Sequence, residues 1–193
     1  GSIIIGNQGG TIAAATGTTM TLTPADFATT AGTVTFGTAG QTGTVVLAPA
    51  GISPLVTSAR TIGGGTLQIG NALTGNEFFS GPDSASLSVA GTATLDMNGF
   101  GTTVNGLSGA GVVTNSGNTD ATLTLTGSSA FGGVIEDGAG TGTTALTRSG
   151  PGNVTLSGAN TYTGATTVTS GGLNVTGSIA SETISIAGAL STN

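Results

Sequence analysis

Residues 150–178 read Gly-Pro-Gly-Asn-Val-Thr-Leu-Ser-Gly-Ala-Asn-Thr-Tyr-Thr-Gly-Ala-Thr-Thr-Val-Thr-Ser-Gly-Gly-Leu-Asn-Val-Thr-Gly-Ser. Short apolar/threonine runs alternate there with glycine and asparagine turns at near-constant spacing. Val154 and Leu156 share one strand face, Asn160 to Gly164 turn the chain, Thr166 to Thr169 make a second strand, and Leu173 and Val175 make a third. None of these strands is long enough to stand alone, and each buries only alternate residues. Strands of this kind persist when each covers its neighbour, which is how one coil of a β-solenoid is written.

The rhythm extends well beyond that stretch. From Gly63 onward, strand cores fall at 66–69, 86–89, 94–97, 103–107, 112–114, 122–125, 134–136, 145–147, 154–157, 166–169, 173–175 and 183–186. Starts about 8–12 residues apart predict coils of roughly 20–30 residues with two or three strands each. Period-2 alternation in Leu67/Ile69, Leu87/Val89, Leu95/Met97, Leu123/Leu125 and Val154/Leu156 sets one face inward, leaving stacked threonines outside. No window has a helical period, so the expected class is all-β. Residues 1–62 are less regular. Runs at 3–5, 20–22, 33–36 and 44–47 are interrupted by Pro24, Pro49 and Pro54, and Pro24-Ala25-Asp26-Phe27 reads as a short helical turn. The chain therefore divides into N-terminal coils or a cap, 1–62, and a repeat-containing β-helix, 63–193.

Composition narrows the function classes. Only 5% of the 193 residues are charged, against roughly 25% in ordinary domains, and 37 are glycine. A positive mean hydropathy (+0.34) separates the chain from disordered segments, which combine low hydrophobicity with high net charge. The net charge is −6, and the only cations, Arg60 and Arg148, are too few for a phosphate-binding patch, so nucleic acid is not an expected partner. The absence of cysteine suits an exported chain but fits any compartment. No stretch approaches the roughly 18–20 apolar residues of a membrane-spanning helix. The opening Gly1-Ser2-Ile3-Ile4-Ile5 lacks a signal peptide's basic n-region, so the chain reads as a mature form or a piece of a longer exported protein.

Asn153 to Gly177 resembles the passenger-associated repeat of bacterial autotransporters (type V secretion). The residues that carry the likeness are Val-Thr-Leu-Ser-Gly-Ala-Asn-Thr-Tyr-Thr-Gly at 154–164, Thr-Thr-Val at 166–168 and Gly-Gly-Leu-Asn-Val-Thr-Gly at 171–177. Weaker echoes lie at 65–71, 94–111 and 123–138, so the resemblance covers roughly 63–190. It implies a right-handed parallel β-helix displayed outside an outer membrane and joined covalently to a C-terminal β-barrel translocator in the full-length protein. It further implies an adhesive or structural role toward a host or neighbouring-cell surface, glycans, or another copy of itself.

The sequence carries only weak signals of chemistry. Asn118-Thr119-Asp120 matches a tripeptide of polygalacturonase sites, yet no acid pair, His or Lys accompanies it, and it also reads as a turn. Glu136-Asp137, ahead of the glycine-rich 138–142, could offer oxygens to Ca²⁺ or simply form a solvated turn. Without His or Cys there is no zinc set, and without His, Cys and Lys no activated nucleophile. The expectation is therefore no enzyme, no cofactor, no metal and no catalytic residue. Asn153 and Asn174 fit the Asn-x-Thr acceptor pattern but read as turn or ladder residues, and Tyr162 and the phenylalanines read as internal stacks or corner fillers. The insertion at 76–83, with Glu77, Phe78, Phe79 and Asp83, is the candidate interaction loop. Two rivals to a stalk remain: a solenoid whose open ends stack into a filament, and a carbohydrate-active β-helix.

Overall fold

The computed structural model describes residues 3–5, 8–23, 27–29, 32–48, 59–71 and 86–192. Each coil contributes strands to successive faces. The N-terminal coils hold β1 (Ile3–Ile5), β2 (Gly10–Ile12), β3 (Thr19–Leu22), β4 (Phe27–Thr29), β5 (Val34–Phe36), β6 (Thr44–Leu47), β7 (Arg60–Ile62) and β8 (Gly65–Ile69). The next two hold β9 (Ser86–Val89), β10 (Ala93–Asp96), β11 (Thr102–Val104), β12 (Gly106–Gly109), β13 (Val112–Thr114) and β14 (Ala121–Leu125). Then come β15 (Ser129–Phe131), β16 (Val134–Ile135), β17 (Thr144–Arg148), β18 (Asn153–Leu156), β19 (Ala159–Asn160) and β20 (Thr166–Val168). The last are β21 (Gly172–Val175), β22 (Ser178–Ile179), β23 (Ile184–Ile186) and β24 (Ala189–Thr192). There is no helix among the described residues.

The ladders between these strands are parallel, and they assemble three long sheets. A nine-stranded face runs β2-β5-β7-β9-β12-β15-β18-β21-β24, a six-stranded face runs β3-β6-β8-β10-β13-β16, and a five-stranded face runs β11-β14-β17-β20-β23. Two-stranded pairs β1-β4 and β19-β22 complete the set. The nine-stranded and six-stranded faces both run through residues 60–69 without a break. At the usual strand spacing the nine-stranded face is about 38 Å long.

In-register stacking turns the alternation into continuous rows. Val45, Leu67, Leu95, Val113 and Ile135 lie opposite one another in consecutive six-stranded-face strands, and all are buried. Each such side chain contributes roughly 1.5–3 kcal/mol when fully buried. The outward positions carry Thr103, Thr124, Thr147, Thr167 and Ser185 on the five-stranded face. The stacked threonines foreseen from the alternation are therefore present.

The strand pattern differs from the sequence reading in a few places. Residues 103–107 are two strands on two faces, β11 and β12, because the chain turns the corner at Asn105. Asn160 lies in β19 rather than in a turn, and Phe27 opens β4 rather than closing a helical turn. The other three residues of that expected turn lie outside the described residues.

Candidate functional site

Polar side chains concentrate at the corner where the six-stranded face passes to the five-stranded one. Asp96, the last residue of β10, is buried and sits opposite Gln68 and Thr114 in the ladder. Its Oδ2 accepts from Gln68 Nε2 at 2.7 Å and Ser116 Oγ at 2.6 Å, and its Oδ1 accepts from the Asn98 and Ser116 N–H groups, each at 2.9 Å. One carboxylate thus ties three successive coils together. The fully buried Asn115 does similar work. It accepts from Gly99 N (2.6 Å) and donates to the carbonyls of Thr119 (2.9 Å) and Thr143 (3.1 Å).

Further up the same corner, Asp120 accepts from Thr143 N (2.7 Å) and Oγ1 (3.0 Å) in the next coil. Asp137 accepts from Thr144 N at 2.6 Å in its own coil, and from Thr163 N (3.1 Å) and Oγ1 (2.7 Å) in the next. At the following coil Asn160 takes over the ladder itself. Its Oδ1 receives the Ile135 N–H at 3.0 Å, and its Nδ2 donates to Gly158 and Ser178 carbonyls. The corner is a staircase of bonds between coils.

This geometry bears on the two weak chemical signals. Asp120, the acid of the Asn118-Thr119-Asp120 tripeptide, is held below its ordinary pKa, first by the Thr143 N–H and then by the Thr143 hydroxyl. A glycosidic general acid needs the opposite shift. At Glu136-Asp137, both Asp137 oxygens are engaged with backbone and hydroxyl donors, and Glu136 accepts the Thr144 Oγ1 hydrogen bond through its backbone carbonyl at 2.8 Å. Among the described residues no three His, Cys, Asp or Glu side chains assemble into a group able to hold a metal ion.

The same bonds set a pH response. Asp120 has a depressed folded-state pKa, so its contribution is fully present above the unfolded value and disappears as pH falls through the folded one. The urea midpoint should fall as the pH drops below the ordinary carboxylate pKa of about 4, and Asp120→Asn should flatten that fall. An acid limb identical in both proteins would contradict the assignment.

A second buried polar feature lies where the five-stranded face returns to the nine-stranded one. Arg148 is wholly buried in an inward row, between Leu125 and Val168. Its Nη1 donates to the carbonyls of Leu125 (2.9 Å), Thr126 (3.0 Å) and Ser149 (2.8 Å), and its Nη2 to those of Pro151 (2.6 Å) and Gly152 (3.0 Å). Burial lowers its pKa, yet a guanidinium stays charged where a lysine would lose its proton. Arg60 occupies the matching kind of position on the nine-stranded face, between Val34 and Leu87. It is 1% exposed, and burial pushes its pKa down to about 10. Both cations of the chain are thus internal. The signal for them was present in the alternation, since Leu146/Arg148 and Arg60/Ile62 share an inward parity.

The remaining sequence candidates divide as follows. Glu77, Phe78, Phe79 and Asp83 lie outside the described residues. Tyr162 is buried, its hydroxyl 2.8 Å from Thr166 Oγ1, and Phe36 and Phe131 are core residues. Asn153 and Asn174 are ladder residues on the outer side of the nine-stranded face. They line a concavity of about 460 Å³ with Thr155, Gly172, Ala189 and Ser191. Another of about 460 Å³ lies along the Arg148 corner between Ser86, Asn105, Ser128 and Pro151. No charged residue lines either one.

Comparison with known families gives one match. The model of the passenger-associated-transport-repeat family fits residues 146–175, from within β17 to the end of β21, and so takes in Arg148, Asn160 and Tyr162. No curated protein and no solved structure gives a significant match to the chain.

Proposed function

We propose, from a chain that carries the passenger repeat of autotransporters in a β-solenoid, that it serves as a rigid extracellular segment of a bacterial surface autotransporter. In this reading it is a stalk and interaction surface, held to the cell by a β-barrel translocator in the full-length protein. The observation that carries the reading is the corner staircase. Asp96, Asp120 and Asp137 are spent on bonds that clamp successive coils. Carboxylates so used stiffen a rod and are poorly disposed for acid–base chemistry on a sugar.

The test is to display the chain on an outer-membrane β-barrel with an epitope at its N-terminus. The stalk reading predicts that antibody reaches the epitope on intact cells and that the displaying cells adhere to a host-cell or glycan-coated surface. Release of reducing ends from polysaccharide by the purified chain would sink it in favour of an enzyme. The filament reading has one observation of its own. Ile184 and Ile186 continue inward rows but are 43% and 48% exposed, so a further coil, of this polypeptide or another copy, would cover them. Regular fibres in negative-stain images would favour another copy.

A further inference from the structure

We propose that Asn105-Gly106, at the corner between β11 and β12, is a site of spontaneous covalent modification, where the asparagine converts to aspartate or isoaspartate through a cyclic imide. Asparagine followed by glycine is especially open to this chemistry, because no side chain shields the nitrogen that must attack. The chain contains two such pairs, Asn98-Gly99 and Asn105-Gly106. The coils treat them differently.

Asn98-Gly99 is locked. It forms the centre of a tight turn in which the Phe100 N–H donates to Met97 O at 2.9 Å, with φ of 48° and 83° at the two residues. The attacking group would be the Gly99 N–H, and that is donated to Asn115 Oδ1 at 2.6 Å. The leaving group would be Asn98 Nδ2, and that donates to the Ile69 carbonyl at 3.1 Å. Both reacting groups are thus held by fully buried residues of the neighbouring coils.

Asn105-Gly106 lacks that hold. Asn105 is half-buried and turns the chain between two faces. Its side chain accepts one long bond, from Thr126 Oγ1 to Oδ1 at 3.4 Å, beyond the usual range of a hydroxyl hydrogen bond. Among the described residues its Nδ2 donates to no acceptor. The residue lines the concavity of about 460 Å³ beside Ser128 and Pro151, so water reaches the amide. Gly106 is the first residue of β12, and its N–H belongs to the corner as well as to the ladder with β9. In the reaction the Gly106 nitrogen bonds to Asn105 Cγ and gives up its proton, the Cγ–Nδ2 bond breaks, and ammonia leaves. Water then opens the imide at either carbonyl. One opening leaves aspartate, and the other reroutes the main chain through the side-chain carbon as isoaspartate. The net change is amide plus water to carboxylate plus ammonium, with no redox partner.

The position gives this chemistry a consequence. Pro151, on the same concavity, offers its carbonyl to Arg148 Nη2 at 2.6 Å, so the new carboxylate arises beside a buried cation. Isoaspartate also adds a main-chain carbon at the residue whose carbonyl accepts the Gly127 N–H of the next coil at 2.5 Å. That route loosens the contact between two coils, and the corner carries a slow chemical clock.

Peptide mapping by mass spectrometry, with isoaspartyl methyltransferase labelling, tests this on the whole chain kept folded in mildly alkaline buffer and, in parallel, unfolded in urea. In the folded chain Asn105 should convert at least about tenfold faster than Asn98, the factor that releasing one or two hydrogen bonds adds to a barrier. In urea the two sites should convert at similar rates, since the coils no longer distinguish them. Asn105→Gln, which carries the same amide on a longer arm, should suppress the acid product at this corner. Folded Asn98 converting as fast as Asn105 overturns the proposal, as does an Asn105 that stays intact in the folded chain while converting in urea.

Discussion

Gly158→Ala should destabilise the solenoid by at least about 3 kcal/mol, lowering its urea midpoint by about 1–3 M. The reason lies at the corner between the nine-stranded and six-stranded faces, where successive coils turn on a glycine. A Cβ on Gly133 would lie 2.0 Å from the Gly111 carbonyl oxygen, one on Gly158 1.8 Å from that of Gly133, and one on Gly177 2.1 Å from that of Gly158. The obstacle is backbone, so no side chain can rotate away. The coils must part, straining the Ser157 N–H bond to Phe131 O (3.0 Å) and the Ser178 N–H bond to Gly158 O (3.1 Å). Overpacking a core with methylenes costs about 1–3 kcal/mol, and a collision between two main chains falls at or beyond the top of that range. Gly40→Ala is the control. Nothing lies within 4 Å of its Cβ position, so its midpoint should stay put or rise slightly. Equal midpoints for Gly158→Ala and the wild type would mean that the coils are not this close.

Arg148→Ala should cost about 3–5 kcal/mol, since it opens a cavity in an inward row and strips a donor from several carbonyls at once. Leu125 O and Gly152 O keep backbone partners, from Ser149 N at 3.0 Å and Gly172 N at 2.9 Å. The carbonyls of Thr126, Ser149 and Pro151 would have to turn to solvent, opening the loop that closes the coil. Arg148→Leu separates the two contributions. It refills the row between Leu125 and Val168 while still removing the donors, so its loss should be smaller, about 1–3 kcal/mol. Unfolding midpoints for the pair decide the matter. If leucine is as damaging as alanine, packing in the row counts for little. If neither differs from the wild type, the carbonyl cage is not a support.

Much of this architecture was readable from the order of residues. The alternation at Leu67/Ile69, Leu95/Met97 and Leu123/Leu125 specified inward rows, and the register aligned those rows across coils. Glycine spacing marked the corners. Short strands were harder. Β15, β19 and β22 have only two or three residues each, and their pairing comes from neighbouring coils rather than from local preference. Residues 103–107 read as one run because nothing local announces that Asn105 turns the chain between faces. The acids were legible as residues but not as a seam, because only the stacking brings Asp96, Asp120 and Asp137 to one corner at separations of about one coil in sequence. Arg148 was the sharpest gap. Its parity pointed inward, but hydropathy argues against burying a guanidinium, and the carbonyls that compensate for it lie in the turn that follows as well as in the coil before.

The central claim is a straight stack in which every coil adds the same rise. Cysteine is absent from the chain, so spin labels can be placed at will along the nine-stranded row. Pairs joining Thr35→Cys to Thr155→Cys, to Asn174→Cys and to Ser191→Cys should report distances near 24, 29 and 34 Å by pulsed electron resonance, before allowance for the labels, at about 4.8 Å per strand. Narrow distributions that lengthen by one strand spacing from each pair to the next are the predicted result. Broad distributions, or distances that do not grow along the series, would contradict the solenoid and the rigid display built on it.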